Sequence, residues 1–313
     1  MRPSQTEHRF HELKGFVIMK KIVSLLLTAA LLVVGLCAFT SCGKTEKLVA
    51  IDASDLLQED FGIAVTKGNT ALLNAVNAVV DKWVADGTMT KYVDYYTALS
   101  ESVEKGTAAP DTNGLKTTWD FGTATETVTM YTESGFAPFE FLMNEKVVGV
   151  DAAIMSEVAV NLGKKLEIQD VAFDTIPTCV KTATGDAVGA AGMTISDERK
   201  ESVDFSSIYY SSTLVVVSAE SKAYGSLKAL DGLKVGVQEG TSADLILEAA
   251  KKAEGYSYEV SEGVMSEAVK LASATTVSTY KQYALALADL KAGRIDAILM
   301  DKLPAQAMLA VAD

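Results

Sequence analysis

From residue 127 to the end of the chain, strand-like segments alternate with helix-like segments, and this alternation constrains the fold most. The runs TVTMY (127–131) and LKVGVQEG (233–240) are typical of strands, and each is followed by a segment with helical periodicity. Strands that alternate with helices predict open α/β sheets with parallel neighbours. The continuous apolar run TLVVVSA (213–219) lies between two such groups. We therefore expect two α/β lobes with a cleft between them.

The charge of the chain excludes one large class of function. It carries 28 basic and 41 acidic residues, a net charge of −13, which opposes binding to a nucleic-acid backbone. The two histidines, His8 and His11, both lie near the start, so no histidine is available for a triad or a zinc site in the body of the chain. Cys37, Cys42 and Cys179 match no zinc-binding spacing. We expect neither a metal nor a cofactor.

The first 43 residues have the features of an export signal. The basic start MKK (19–21) precedes the apolar run 22–39, and the small residues of TSCG (40–43) follow. This end resembles a bacterial lipobox, in which the signal is cut before a cysteine that carries lipid. Residues 1–41 are therefore interpreted as an upstream segment plus a signal peptide, with lipid on Cys42 and an extracytoplasmic chain anchored to the cell membrane. The alternative is an uncleaved anchor, since about 20 apolar residues can span a bilayer.

Helical signals also occur outside the alternating region. Residues 69–84 place apolar side chains on one face at helical spacing, namely Leu72, Leu73, Val76, Val79, Val80 and Trp83. Residues 104–122 lose this periodicity and collect Gly, Pro, Asn and Thr, which indicates a linker. Asp151 is expected to cap the helix that follows it, and a long helical region is expected after the helix that begins at Thr241.

Five motifs in residues 126–313 occur in the order known for one protein family. They are FAPFEF (136–141), VVGVDAAIMSEVAVNLGKKLE (147–167), GAAGMTISDERKESVDFSSIYYSS (189–212), LKVGVQEGTSADL (233–245) and LKAGRIDAILMDKLPA (290–305). With them the chain resembles the extracellular solute-binding proteins of polar amino-acid ABC transporters, family 3. The resemblance implies a two-lobe periplasmic-binding-protein type II fold with a ligand cleft between the lobes. It also implies a non-enzymatic protein that captures a polar amino acid and delivers it to a membrane permease.

The family's C-terminal part stands at the other end of this chain. Family members continue past the last motif with a return strand and helices, and the matching sequence here is FGIAVTKGNTALLNAVNAVVDKWVADGTMTKYVDYY (61–96). The resemblance therefore implies a circular permutant, and a separate N-terminal helical domain is the alternative. The implied organisation is lobe 1 at 61–216, with the displaced part 61–103, the linker 104–122 and the family's N-terminal part 123–216, and lobe 2 at 217–313 with 44–60. Residues 61–66 should form a strand beside 214–218.

Two charged residues are the main candidates for binding a zwitterion. Arg199 lies at the start of a short helix, where its planar fork and the backbone N–H groups suit a carboxylate. Asp301 ends a strand, at the edge where open α/β sheets bind ligands. The resemblance implies that Arg199, Thr194 and the backbone of Ala191 and Gly192 hold the ligand's carboxylate, and that Asp301 pairs with its ammonium. A solvated arginine and a loop-capping aspartate are the alternatives.

The remaining candidates come from both lobes. The resemblance implies that Thr241 and Ser242, at a helix start, clamp the ligand with Gln238 at the rim. It implies that Phe136 and Phe173 enclose the ligand's side chain. Taken alone, the hydroxyls could be a plain N-cap and the aromatic residues could be core.

Two further residues are expected to touch the ligand's side chain. Glu133 stands where family members often have an aspartate, and Met300 precedes Asp301. One acidic residue with no pocket lysine or histidine favours neutral-polar or basic ligands.

Two other functions remain open on the same fold. One is an enzyme of the cyclohexadienyl-dehydratase type, for which Glu133 or Asp301 would have to supply the general acid or base. The other is the ligand-binding domain of a sensory receptor.

Overall fold

The computed structural model describes residues 46–56 and 58–310. The predicted signal segment and Cys42 therefore lie outside the described residues. The strands are β1 (Leu48–Asp52), β2 (Glu59–Phe61), β3 (Ala64–Thr66), β4 (Thr127–Thr132), β5 (Gly135–Phe136), β6 (Glu140–Met143), β7 (Lys146–Val148), β8 (Lys165–Asp170), β9 (Asp186–Gly189), β10 (Val203–Phe205), β11 (Tyr210–Ser212), β12 (Leu214–Ala219), β13 (Lys234–Gln238), β14 (Glu259–Ser261), β15 (Val264–Met265), β16 (Thr276–Tyr280) and β17 (Ala297–Asp301).

The helices cover both parts of the chain. They are α1 (Thr70–Ala85), α2 (Thr88–Lys105), α3 (Val150–Asn161), α4 (Ile176–Thr182), α5 (Asp197–Lys200), α6 (Ser242–Ala250), α7 (Tyr283–Lys291) and α8 (Lys302–Leu309), with short 3-10 turns at Phe173–Thr175 and Lys228–Leu230. Among the described residues, no helix combines the length and the apolar character needed to cross a membrane.

Two five-stranded sheets form the centres of two lobes. The sheet of lobe 1 has the order β10-β3-β9-β4-β8, and β4 runs parallel to both β8 and β9. The sheet of lobe 2 has the order β1-β12-β17-β13-β16, and β13 runs parallel to both β16 and β17. The carboxyl ends of these parallel strands carry the loops in which ligands of open α/β sheets bind. The two-lobe α/β fold predicted from the sequence is confirmed.

The chain passes between the lobes twice, through the antiparallel pair β2 and β11. One segment runs from β1 in lobe 2 through β2 to β3 in lobe 1, and the other runs from β10 through β11 to β12. Two strands, β2 and β3, therefore replace the single strand expected at 61–66. The prediction that this strand lies beside 214–218 was wrong. That stretch belongs to β12, which pairs with β1 and β17, whereas β2 pairs with 210–212.

Helices α1 and α2 pack on lobe 1. The helix predicted at 69–84 is confirmed as α1, and the side chain of Asn69 caps it by accepting a hydrogen bond from the Leu72 amide at 3.1 Å. Its buried residues are Leu72, Val76, Val79, Val80 and Trp83, and it packs against α2 and α3. The Trp83 ring stacks on Tyr92 of α2 with centroids 4.5 Å apart.

Two local expectations were wrong. Residues 251–282 do not form a long helix; they contain β14, β15 and β16, and the β-branched run of β16 extends the sheet of lobe 2 beside β13. Asp151 does not cap α3, because the helix begins one residue earlier, after Gly149. Gly149 has φ 139°, and a Cβ there would lie 2.1 Å from the Phe139 carbonyl oxygen, so only glycine fits. Asp151 is instead fully buried.

Candidate functional site

A small cavity lies between the carboxyl ends of the two sheets. Its lining residues are Glu133, Phe136, Phe173, Gly192, Thr194, Gln238, Thr241, Ser242 and Asp301. The first five lie in lobe 1 and the last four in lobe 2, each within a strand or in the segment that follows one. A water-sized sphere has only about 10 Å³ of room there, roughly the space of one water molecule. The lobes are therefore closed on one another in this conformation.

Arg199 lies beside this cavity and connects the lobes. Ser196 caps the short helix α5 by accepting a hydrogen bond from the Arg199 amide. The guanidinium donates to the carbonyl oxygens of Thr194 at 2.7 Å and of Gly240 in lobe 2 at 3.0 Å. It also lies over the Phe173 ring, 5.4 Å from the centroid, at a distance typical of a cation–π contact. Burial lowers the pKa of Arg199, although neighbouring carboxylates, Glu59 first, oppose the shift.

Asp301 ends β17 and is 5% exposed. Its Oδ1 atom has no hydrogen-bond partner among the described residues. Burial, followed by the charge of Glu59, raises the pKa of Asp301 well above its ordinary value, and the Ser212 hydroxyl and Arg199 oppose this. A buried acceptor without a donor is costly, so this oxygen is suited to receive an N–H group from a ligand.

Glu133 is held by two amides of lobe 2. Its carboxylate accepts hydrogen bonds from Nε2 of Gln238 at 2.9 Å and from Nε2 of Gln282 at 2.8 Å. Burial raises the pKa of Glu133, and the two amides oppose the shift. Gln282 was not predicted, since it has no motif of its own and reaches the cleft only because β16 ends at Tyr280. These contacts make Glu133 a second bridge between the lobes.

The aromatic and small residues shape the cavity. Phe136 stacks on Tyr283 of lobe 2 with centroids 6.3 Å apart. Gly192 has φ 53°, and a Cβ there would lie 2.5 Å from Cε1 of Phe136, so a side chain would push the ring away. Thr241 caps α6 by accepting from the Asp244 amide at 3.4 Å, so the plain N-cap interpretation also holds for it.

The structure does not bring every expected residue to this cavity. Met300 lines a different one, between α2, α7 and α8, because successive residues of a strand point to opposite faces. Met300 is therefore not among the residues that line the cavity between the lobes. Ala191 is 1% exposed and packs into the core of lobe 1 rather than lining the cavity. The Arg199 side chain lies beside the cavity, and its guanidinium donates to the backbone carbonyls of Thr194 and Gly240.

Glu59 is a second residue of the cleft, besides Gln282, that the sequence did not indicate. It belongs to the crossing strand β2 and is 8% exposed. Its Oε2 atom accepts hydrogen bonds from Thr194 Oγ1 at 3.2 Å and from Ser242 Oγ at 2.7 Å. Burial raises the pKa of Glu59. It precedes the FGIAV motif and reaches the cleft only through the crossing of β2, which no local pattern reveals.

Comparisons with known proteins place the chain in a family. The sequence profile of the bacterial extracellular solute-binding proteins, family 3, matches residues 128–247. The putative ABC transporter arginine-binding protein 2 of Escherichia coli (strain K12) is 31% identical over 180 residues, covering 57% of this chain and 65% of that protein. The chain belongs to family 3. This family 3 protein is also 38% identical to the arginine-binding extracellular protein ArtP of Bacillus subtilis (strain 168) over 112 residues, 36% of this chain and 44% of ArtP.

A solved structure supports the fold assignment. Holo ArgBP from T. maritima is 28% identical to this family 3 protein, covers 59% of this chain and 73% of its own, and superposes with a TM-score of 0.50. The matched segment spans 44% and 65% of the lengths of the two relatives described above. These relatives carry names of binding proteins rather than of enzymes.

Proposed function

We propose that this family 3 protein captures a polar amino acid between its lobes and delivers it to the permease of an ABC transporter, anchored outside the cell by lipid at Cys42. The observation that carries the proposal is that an arginine and an aspartate from opposite lobes lie at the same closed interface. Arg199 belongs to lobe 1, and Asp301 enters from lobe 2 with an unpartnered oxygen. A zwitterion needs a cation and an anion that face each other.

The charge of the cleft favours a ligand with a basic side chain. Among the described residues, the carboxyls of Glu133 and Asp301 line the cavity, and the Glu59 carboxyl and the Arg199 guanidinium lie beside it. Lys281 lies at the rim, where it pairs with Asp174 and Glu239. An amino acid with a second positive charge would offset this negative excess. The relatives named as arginine-binding proteins agree with this direction, and L-arginine is the first candidate.

Binding requires the lobes to open, because an amino acid does not fit into the present space. The contacts that would break on opening include Gln238 to Glu133, Ser242 to Glu59, and Arg199 to the Gly240 carbonyl. A ligand that makes more contacts in the closed form than in the open form shifts the population toward closure. Closure would therefore signal that the ligand is bound.

We also infer that the chain is a circular permutant of its family. Strand β3 lies between β9 and β10 in the sheet of lobe 1, although 60 residues separate it from β4. The linker that follows α2 is fastened to lobe 1, since Trp119 Nε1 donates to Glu157 at 2.8 Å. A rearranged chain, with residues 123–313 followed by 44–103, should fold and bind the same ligand, and loss of folding would count against the permutation.

A thermal-shift screen of the full-length chain in detergent over the common amino acids tests the function. A ligand at 100 times its Kd should stabilise the folded state by about 2.7 kcal/mol. We expect a basic amino acid to give the largest shift and Arg199→Ala to reduce it strongly at the same ligand concentration. If no amino acid shifts the transition, the proposal fails. Turnover of prephenate or arogenate would instead establish the dehydratase alternative.

A further inference from the structure

We propose that Glu59 is a specificity-determining residue of this cleft, because its carboxylate occupies the hydroxyl donors that a ligand's carboxylate would use. Resting on the proposed function, the inference concerns which ligands the cleft favours. An ionised Glu59 should reduce the gain in affinity that a carboxylate at this end gives a ligand over a cation of the same shape without one.

The first argument is the geometry of the donors. Thr194 from lobe 1 and Ser242 from lobe 2 both donate to the same oxygen of Glu59. The resemblance to the family implied that Thr194 helps to hold the ligand's carboxylate and that Ser242 clamps the ligand from lobe 2. Glu59 therefore stands in for such a carboxylate, and it does so from a strand that belongs to the crossing between the lobes.

The second argument is the number of positive groups nearby. Both described hydrogen bonds from the Arg199 guanidinium go to backbone carbonyls. Its positive charge already acts on Glu59, so a ligand carboxylate would compete with Glu59 for the same cation. The Asp301 carboxyl also lies close to Glu59, and each disfavours ionisation of the other. Since like charges repel strongly where water is scarce, a ligand carboxylate placed beside an ionised Glu59 would be destabilised.

The third argument is the environment on the outer side of Glu59. A depression of about 480 Å³ borders it, with Asp60, Lys200 and Tyr256 in its lining. The titratable groups that interact electrostatically with Glu59 are Arg199, Asp301, Tyr256 and Tyr283. An incoming carboxylate can be accommodated if Glu59 takes up a proton or turns into this depression. A cation without a carboxylate requires neither change.

The test compares L-arginine with agmatine, which is arginine without its carboxylate. Calorimetry on the full-length chain in detergent would measure both affinities for the wild type and for Glu59→Gln, which keeps the size and removes the charge. We expect the ratio of L-arginine affinity to agmatine affinity to rise at least tenfold in Glu59→Gln. Glu262→Gln makes the same charge change at an exposed position and should leave the ratio unchanged.

Glu59→Ala provides a second variant in case the glutamine variant does not fold. An unchanged ratio in the folded variants, or a shift toward agmatine, would overturn the inference while leaving the proposed function intact. A wild type that binds neither compound overturns the inference as well. The proposed function fails separately, only if the amino-acid screen shows no ligand at all.

Discussion

At the scale of single residues, Arg199 is the group on which ligand binding should depend most. Its removal would leave a ligand carboxylate buried and underpaired, which costs roughly 2–5 kcal/mol for truncated buried charge pairs. Because 1.4 kcal/mol is tenfold in affinity, Arg199→Ala should weaken binding by about thirtyfold or more. Calorimetry with L-arginine would measure this effect. Asp301→Ala should weaken binding similarly.

The control for this prediction is Lys82→Ala, an exposed position on α1 far along the chain from the cleft residues. It also removes one positive charge, so it reports any effect of net charge alone. Affinity that is indifferent to both Arg199→Ala and Asp301→Ala would show that the ligand binds elsewhere.

Asp151 carries a prediction about pH. It is fully buried, and burial raises its pKa to about 7, although its carboxylate accepts hydrogen bonds from the Gly192 amide at 3.0 Å and the Tyr209 hydroxyl at 3.0 Å. Glu140 lies beside it, and burial raises the pKa of Glu140 well above its ordinary value. Between the unfolded pKa near 4 and the folded pKa, the folded chain holds a proton that the unfolded chain has lost.

Stability should therefore fall as the pH rises through this window. From pH 5 to pH 7, Asp151 alone lowers the free energy of unfolding by about 2–3 kcal/mol, and its contribution to the fall should level off above pH 7. Urea denaturation at several pH values would measure it, and Asp151→Asn should flatten the dependence. A free energy of unfolding that stays constant or rises between pH 5 and pH 7 would contradict the assignment.

At the scale of elements, helix α1 tests whether the displaced segment belongs to lobe 1. Leu72 is 2% exposed within the main core, which also contains Phe136 and Ile154. Leu72→Ala should lower the free energy of unfolding by about 2–5 kcal/mol, as buried leucine truncations do. Leu285→Ala, at a helical leucine that is 52% exposed, should cost far less.

The shape of the unfolding curve adds a second readout. If α1 is part of lobe 1, Leu72→Ala shifts the transition of the whole lobe, as monitored by Trp119 and Trp83 fluorescence together with circular dichroism. A separate early transition confined to the helical signal would instead indicate an independent N-terminal domain, and would argue against the permutation.

At the scale of the whole molecule, the proposed lipid anchor at Cys42 makes a prediction about where the protein is located. Lipid attachment requires its thiol, so Cys42→Ser should release the chain from the membrane fraction into the soluble extracytoplasmic fraction. Fractionation followed by immunoblotting would measure this. Cys179→Ser is the matched control and should leave the chain with the membrane. Membrane retention of Cys42→Ser would support the uncleaved anchor.

The sequence by itself determined the elements whose signal is local. Periodicity located α1, apolar continuity located β12 and β17, and the motifs named the residues that line the cavity, because each depends on neighbours a few positions away. Tertiary structure decided the rest. Met300 and Asp301 are neighbours in β17 but lie on opposite faces of it, so Asp301 lines the cavity and Met300 does not. Residues 276–280 form the strand β16 because they pair with β13 in the sheet of lobe 2.

Glu59 shows the same limit most clearly. Its position 135 residues from Thr194 and 183 from Ser242 gives no local signal. Its place between two hydroxyls arises only when β2 crosses between the lobes and closure brings α6 toward lobe 1. Burial and the neighbouring charges that raise its pKa are likewise properties of the closed interface, since an isolated carboxylate in water has neither.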